Sequence, residues 1–195
     1  MDFAHTPDGI EKSLAAAREH TRGTLTCVFG AGGDRDHGKR PLMAAAAEKF
    51  ADRVFVTDDN PRSEDPAAIR RDVAAGFTGA VNSVGRKAEI RTDFTDRAHA
   101  IREAIESSKP GDTVAVLGKG HEEYQIVGKE KRPWSDQRAV REILGLDELA
   151  NLLLHFLVRE MLHHEGCQLA VQIRRSYGCR FTMSTFDRSS RCFGQ

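Results

Sequence analysis

Apolar positions along the chain switch repeatedly between two periods, and the switches outline a layered domain. Thr6 suits a helix N-cap, with Pro7 at the first helical position and Asp8 against the dipole. Ile10, Leu14 and Ala17 follow at helical spacing, and the run ends near His20–Gly23. Leu25–Phe29 is continuously apolar, as expected for a central strand covered on both faces. Pro41 opens a helical run, Leu42–Phe50, and Arg53–Thr57 reads as the second strand. Glu64-Asp65-Pro66 starts a helix through Ile69, Val73 and Phe77, closed by glycines 76 and 79. Glu89-Ile90-Arg91 is a short polar strand suited to a sheet edge. Thr95–Ser107 predicts an amphipathic helix with Ala98, Ile101, Ala104 and Ile105 inward, and Thr113–Leu117 a further buried strand. Tyr124–Val127 and Lys131–Trp134 flank a glycine turn as a hairpin, and Ser135 caps a last helix, Asp136–Leu144, with Val140, Ile143 and Leu144 on its apolar face.

Helices and strands in strict alternation predict an α/β fold: a Rossmann-like, mainly parallel sheet with helices on both faces, over residues 1–146. Residues 147–195 break the pattern. Leu149–Leu162 is helical in period, and the rest is irregular, with six Arg against three acids over 151–195, a local charge of +3. That shift predicts an appendage, helical and then irregular, disordered or foreign to the domain. His163-His164-Glu165 lacks the HExxH spacing, so a helix end is preferred there to a metal site.

Composition narrows the functional classes. Lys plus Arg and Asp plus Glu both number 29, for a net charge of +0. No basic excess points to nucleic acid or an anionic membrane. No apolar run approaches the roughly 20 residues of a membrane span, and the first residues do not read as a secretory signal. Cys27, Cys167, Cys179 and Cys192 form no CxxC or zinc spacing. Cys27 reads as a buried strand residue in a reducing compartment.

Candidate chemistry sits where strands end. The first strand runs into glycines 30, 32, 33 and 38, with Asp34, Arg35, Asp36, Lys39 and Arg40 among them. Gly33 to Lys39 fits most of a P-loop, but Arg40 stands where that pattern needs a magnesium-ligating hydroxyl. A nucleotide loop, a solvated charged turn and a carboxylate site using Arg35 all remain open on this loop alone. The second strand ends in Asp58-Asp59-Asn60-Pro61-Arg62, where Pro61 stiffens a polar loop. Arg62 offers a planar fork for a carboxylate, and Asp59 and Asn60 can receive an ammonium. The strand Thr113–Leu117 ends in Gly118-Lys119-Gly120-His121-Glu122. Parallel strands put such loops on one rim, the usual ligand edge of an open α/β sheet. Asp2 and His5 precede the first helix and are weaker candidates.

The stretches GAGGDRDHGKRPLM, TDDNPRSEDPAAI and LGKGHEEYQI together resemble the C-terminal domain of the Mur ligases, and within them the diaminopimelate-adding branch. The resemblance covers about residues 2–146 and rests on three separated motifs in order. It implies an ATP-dependent ligase that adds meso-diaminopimelate to UDP-MurNAc-L-Ala-D-Glu in cytoplasmic peptidoglycan synthesis. It implies that Arg35, Asn60 and Arg62 hold amino-acid carboxylates, while Gly118, Glu122 and Asp59 contact the other polar groups; Pro61 completes the Asp-Asn-Pro-Arg tetrad. Asp2 and His5 would lie on the ATP side, although Phe3 departs from the family's usual tyrosine. The family's uridine-nucleotide and ATPase domains have no counterpart here. ATP, magnesium and UDP-MurNAc-dipeptide are therefore expected to be held mainly by other domains, with no cofactor, metal or catalytic residue on this chain and no turnover alone. A truncated, non-catalytic binding module is the alternative expectation, and a stand-alone P-loop phosphotransferase a third.

Overall fold

The computed structural model describes residues 4–146. Asp2, the helix expected at Leu149–Leu162, His163, His164 and the cysteines of the tail lie outside the described residues. Within them the chain runs α1 (Pro7–His20), β1 (Leu25–Phe29), α2 (Lys39–Phe50), β2 (Arg53–Thr57), α3 (Pro66–Ala74), β3 (Glu89–Phe94), α4 (Arg97–Glu106), β4 (Thr113–Val116), β5 (Tyr124–Val127), β6 (Glu130–Pro133) and α5 (Asp136–Ile143). The first four strands form a parallel sheet in the order β3-β2-β1-β4, and β5 and β6 pair as an antiparallel hairpin.

Alternation along β1 divides the core. Leu25, Cys27 and Phe29 pack with Ile10 and Leu14 of α1, Met43 and Ala47 of α2, and Ile69 and Val73 of α3. Val28, with Phe55 and Val116, packs on Phe94 and on Ala100, Ile101 and Ala104 of α4, with Val140 and Ile143 of α5 at the margin. Helices therefore cover both faces, and each fully buried Val, Leu or Phe contributes roughly 1.5–3 kcal/mol. Burial also pushes the Cys27 thiol up to about 12, which leaves it inert.

Several ends differ from the sequence reading. Helix α2 starts at Lys39 instead of Leu42, with Gly38 as a cap that makes no side-chain bond; Pro41 lies in the first turn, where its missing N–H costs nothing. Helix α3 stops at Ala74, because the chain turns at Gly76 before Phe77. Strand β3 extends to Phe94, whose ring is buried against Phe55. Helix α4 starts at Arg97 under an Asp96 cap, and Ala98 is half-buried instead of inward. Strand β4 is an edge strand with Thr113 and Val114 half-buried. The second hairpin strand starts at Glu130, one residue early, and Leu144 at the end of α5 is 41% exposed.

The register sets the functional edge. Phe29 pairs with Val56 and Val28 with Val116, so β1, β2 and β4 end level. The sheet grows from β1 through β2 to β3 and then places β4 on the other side of β1. Open α/β sheets bind ligands at such a reversal of strand order.

Candidate functional site

Three loops leave this level edge and are tied together by their backbones. The loop after β1 is joined to the loop after β2 by Gly33 N, which donates to Asn60 O at 2.9 Å. A Cβ on Gly33 would lie 1.9 Å from Pro61 O, so only glycine allows the two chains to approach this closely. The hairpin closes the other side: Arg62 N donates to Ile126 O at 3.1 Å and Gly128 N to Arg62 O at 2.6 Å. Among the described residues the non-glycines with left-handed φ are Asp34 (53°) and Arg62 (51°), one in each of the first two loops. Such conformations persist where surrounding contacts over-determine them, and often at functional sites.

The guanidiniums gather on one part of the rim. Arg62 is half-buried and donates through Nη1 to Gly33 O at 2.6 Å. Arg35 is exposed and donates to Asp34 O at 3.3 Å. Both flank Gly32, where a Cβ would lie 2.9 Å from Arg62 Nη1 and 3.6 Å from Arg35 Cγ. A ligand carboxylate approaching the Gly32 backbone would meet the Arg62 cation, with the stem of Arg35 alongside.

The carboxylates lie on the loops after β2 and β4. Asp58 turns away to pair with Arg70, and burial pushes its carboxyl up despite that pair. Asp59 turns inward, with Oδ1 3.1 Å from the Lys119 ammonium. Asn60 Oδ1 accepts from Lys119 Nζ and from Ile126 N, both at 2.9 Å, which leaves Nδ2 to donate to Glu122 Oε2 at 3.1 Å. Gly118 has φ 112°, and a Cβ there would lie 2.9 Å from Asp59 Oδ2. Arg35, Asp59, Asn60, Pro61, Arg62, Gly118 and Glu122 are thus brought onto one edge. His5 is exposed, one residue before the Thr6 cap.

Residues left out of the sequence candidates support this edge. Lys119 is fully buried, and a lysine fenced by glycines at a strand end is the signal that marks it. Gln125 Nε2 donates to Asp59 O at 2.6 Å, and nothing local in the sequence singles it out. Arg40 is buried, bonded to Glu64 and Asp72 at 2.8 Å each and to Gly32 O at 3.2 Å. The bond with Arg40 is the main cause that holds the Glu64 carboxyl down at about 2. Lys39 is exposed on the first turn of α2. With the hydroxyl position filled by a buried guanidinium bound to two acids, this loop does not fit a magnesium-bound triphosphate. Among the described residues no group of three or more His, Cys, Asp or Glu is arranged to hold a metal ion, and no helix is long and apolar enough to cross a membrane.

Residues 1–120 match the family described as Mur ligase, glutamate ligase domain. The chain is 51% identical over 144 residues to the UDP-N-acetylmuramoyl-L-alanyl-D-glutamate--2,6-diaminopimelate ligase of Haemophilus influenzae KW20 / Rd, and equally to the proteins of that name from strains PittEE and 86-028NP. Each match covers 74% of this chain and 28% of the relative, so the chain spans little more than a quarter of their length. A solved structure of a ligase of the same name matches at a TM-score of 0.66 and 38% identity, over 75% of this chain and 28% of that one.

Proposed function

Since this chain belongs to the Mur ligase family through its glutamate ligase domain, we propose that it presents meso-diaminopimelate for addition to UDP-MurNAc-L-Ala-D-Glu, in the cytoplasmic synthesis of peptidoglycan. The observation that carries this reading is that the loops bearing Arg35, Arg62, Asp59, Asn60 and Glu122 leave one edge of the sheet and are bonded to one another. Diaminopimelate has two carboxylates and two ammoniums, and a site for it needs cations and acids side by side. Arg35, Arg62 and Asn60 take carboxylates; Asp59, Glu122 and the Gly118 backbone take the amino end.

The domain's own contribution is orientation. Holding an amine against its acceptor is worth up to roughly 7–11 kcal/mol in favourable cases. The chain spans little more than a quarter of its relatives' length, so activation of the acceptor carboxylate by ATP and magnesium is assigned to the rest of such a ligase, and we expect no turnover from the 195-residue chain alone. Asp2 and His5 on the ATP side remain part of the same proposal.

Calorimetric titration of the chain with meso-diaminopimelate and with lysine tests the reading. We expect diaminopimelate to bind at least about tenfold more tightly, because lysine lacks the second carboxylate. Arg35→Ala and Arg62→Ala should each cost roughly 1.5–3 kcal/mol of that affinity, or about ten- to a hundredfold. Equal affinity for the two amino acids, or variants that bind like the parent, would overturn it.

A further inference from the structure

We propose that Lys119 is the positioning residue of the amino-acid rim: its ammonium sets the direction of the Asn60 amide and the place of Glu122, and so creates the subsite for a ligand ammonium. The proposal rests on the amino-acid reading above for its ligand, but not for its geometry.

The Lys119 side chain has no solvent exposure. Its ammonium lies 2.9 Å from Asn60 Oδ1, 2.9 Å from Tyr124 O, 3.1 Å from Asp59 Oδ1 and 3.5 Å from Glu122 Oε2. Those four oxygens come from the loop after β2, the loop after β4 and the start of the hairpin. An ammonium has three protons and no acceptor. It therefore compels oxygen to face it, and with Ile126 N as a second donor it turns the Asn60 oxygen inward and the Asn60 NH₂ toward Glu122. Glu122 keeps 21% of its side chain exposed. It is thus held from behind by Lys119 and Asn60 while remaining open to a ligand in front. Asp59 Oδ1 is buried and makes no hydrogen bond of good geometry, so Lys119 acts on it as a nearby charge.

Removing the ammonium has two consequences. Asn60 loses one of the two donors that fix its amide, and Glu122 loses the charge that holds it in place. A ligand ammonium would then meet acids without defined positions, and the rim would no longer tell a diamino acid from one lacking the second amine.

The test uses the full 195-residue chain and its Lys119→Met variant, with two readouts. The first is hydrogen exchange of the Ile126 amide together with the Asn60 side-chain NH₂ resonances by NMR, referred to the amides of β1. We expect Ile126 to exchange at least about tenfold faster in Lys119→Met, with the Asn60 signals moved and β1 unchanged. The second is the ratio of affinities for meso-diaminopimelate and 2-aminopimelate, which lacks one amine. We expect the parent to prefer diaminopimelate by about tenfold or more and the variant by less than about threefold. A merely structural role would weaken both ligands and leave the ratio alone. An unchanged or larger ratio in the variant overturns the proposal, and so does unaltered Ile126 exchange. If the parent binds neither ligand, the function proposed above fails, and the NMR readout alone decides the role of Lys119. Should Lys119→Met not fold, the parent decides: a resolved, slowly exchanging Lys119 ammonium signal with Overhauser contacts to Asn60 and Tyr124 supports the proposal, and a fast-exchanging, averaged signal overturns it.

Discussion

Arg40 and Arg97 brace two strand-end loops by the same means in unlike surroundings. Each is almost fully buried, and each donates to a backbone carbonyl next to a rim glycine: Arg40 to Gly32's own carbonyl at 3.2 Å, beside Gly33, and Arg97 to Leu117 O at 2.9 Å, beside Gly118. Arg97 is answered by one carboxylate in a two-pronged pair, Asp136, at 2.8 and 2.7 Å. That carboxylate has no solvent exposure and also takes the Trp134 indole N–H at 2.8 Å. Arg40 is answered by two acids, Glu64 and Asp72, whose side chains are 19% and 42% exposed, with His37 at 3.0 Å. The first brace is dry and the second wet. The same bond geometry therefore implies different costs of failure, because a stranded carboxylate can recover water only at Arg40.

The largest expected effect breaks the dry brace. Arg97→Met leaves Asp136 buried without its cation and should destabilise the domain by about 3–5 kcal/mol in urea unfolding. Arg40→Met leaves acids that water can reach, and we expect a smaller loss of about 1.5–3 kcal/mol by the same measurement. If Arg40→Met were as costly as Arg97→Met, the contrast between dry and wet would be wrong.

Acid sharpens the contrast without mutation at the guanidinium. The Glu64 carboxyl is lowered from 4.5 to about 2, chiefly by its bond with Arg40, with the Asp34 N–H adding to it against the cost of burial. A lowered carboxyl contributes stability that is complete above the unfolded value, near 4.5, and is lost as pH falls through about 2. Burial alone would raise the Asp136 carboxyl, but the bonds from Arg97 and Trp134 hold it below its ordinary value, so it too loses stability in acid. Glu64→Gln should accordingly give a shallower fall of the urea midpoint across that acid window than the parent does, at an otherwise lower stability. An equal slope in both proteins would separate Glu64 from the Arg40 brace. The smallest effect lies at the exposed end of the rim, where Arg35→Ala should leave stability within about 0.5 kcal/mol even as it weakens the ligand.

The strands and most caps were legible because local chemistry decides them. The Thr6, Asp65 and Ser135 side chains each accept a hydrogen bond from the first turn of their helix, as their residue types foretell. The start of α2 was not legible, since Gly38 offers no side-chain cap and Lys39 and Arg40 continue a glycine-rich charged stretch that reads as loop. Charge is also why much of the site's support was hidden. Lys119, Arg40 and Arg97 all carry side chains that composition assigns to the surface, and each is buried against an acid 24 to 60 positions away in the chain. The glycines that shape the loops were visible from the start; the residues those glycines let inside were not.

The contact between Gly33 and the Pro61 carbonyl makes the width of the rim a main-chain dimension. Exposed side chains that make no bond across the two loops, such as Arg35, can be exchanged without altering how far apart the loops stand, so the ligand preferences of this edge are free to drift while its aperture is not. A saturating library at position 33 would return glycine alone, and one at position 35 would return whatever the selecting amino acid rewards.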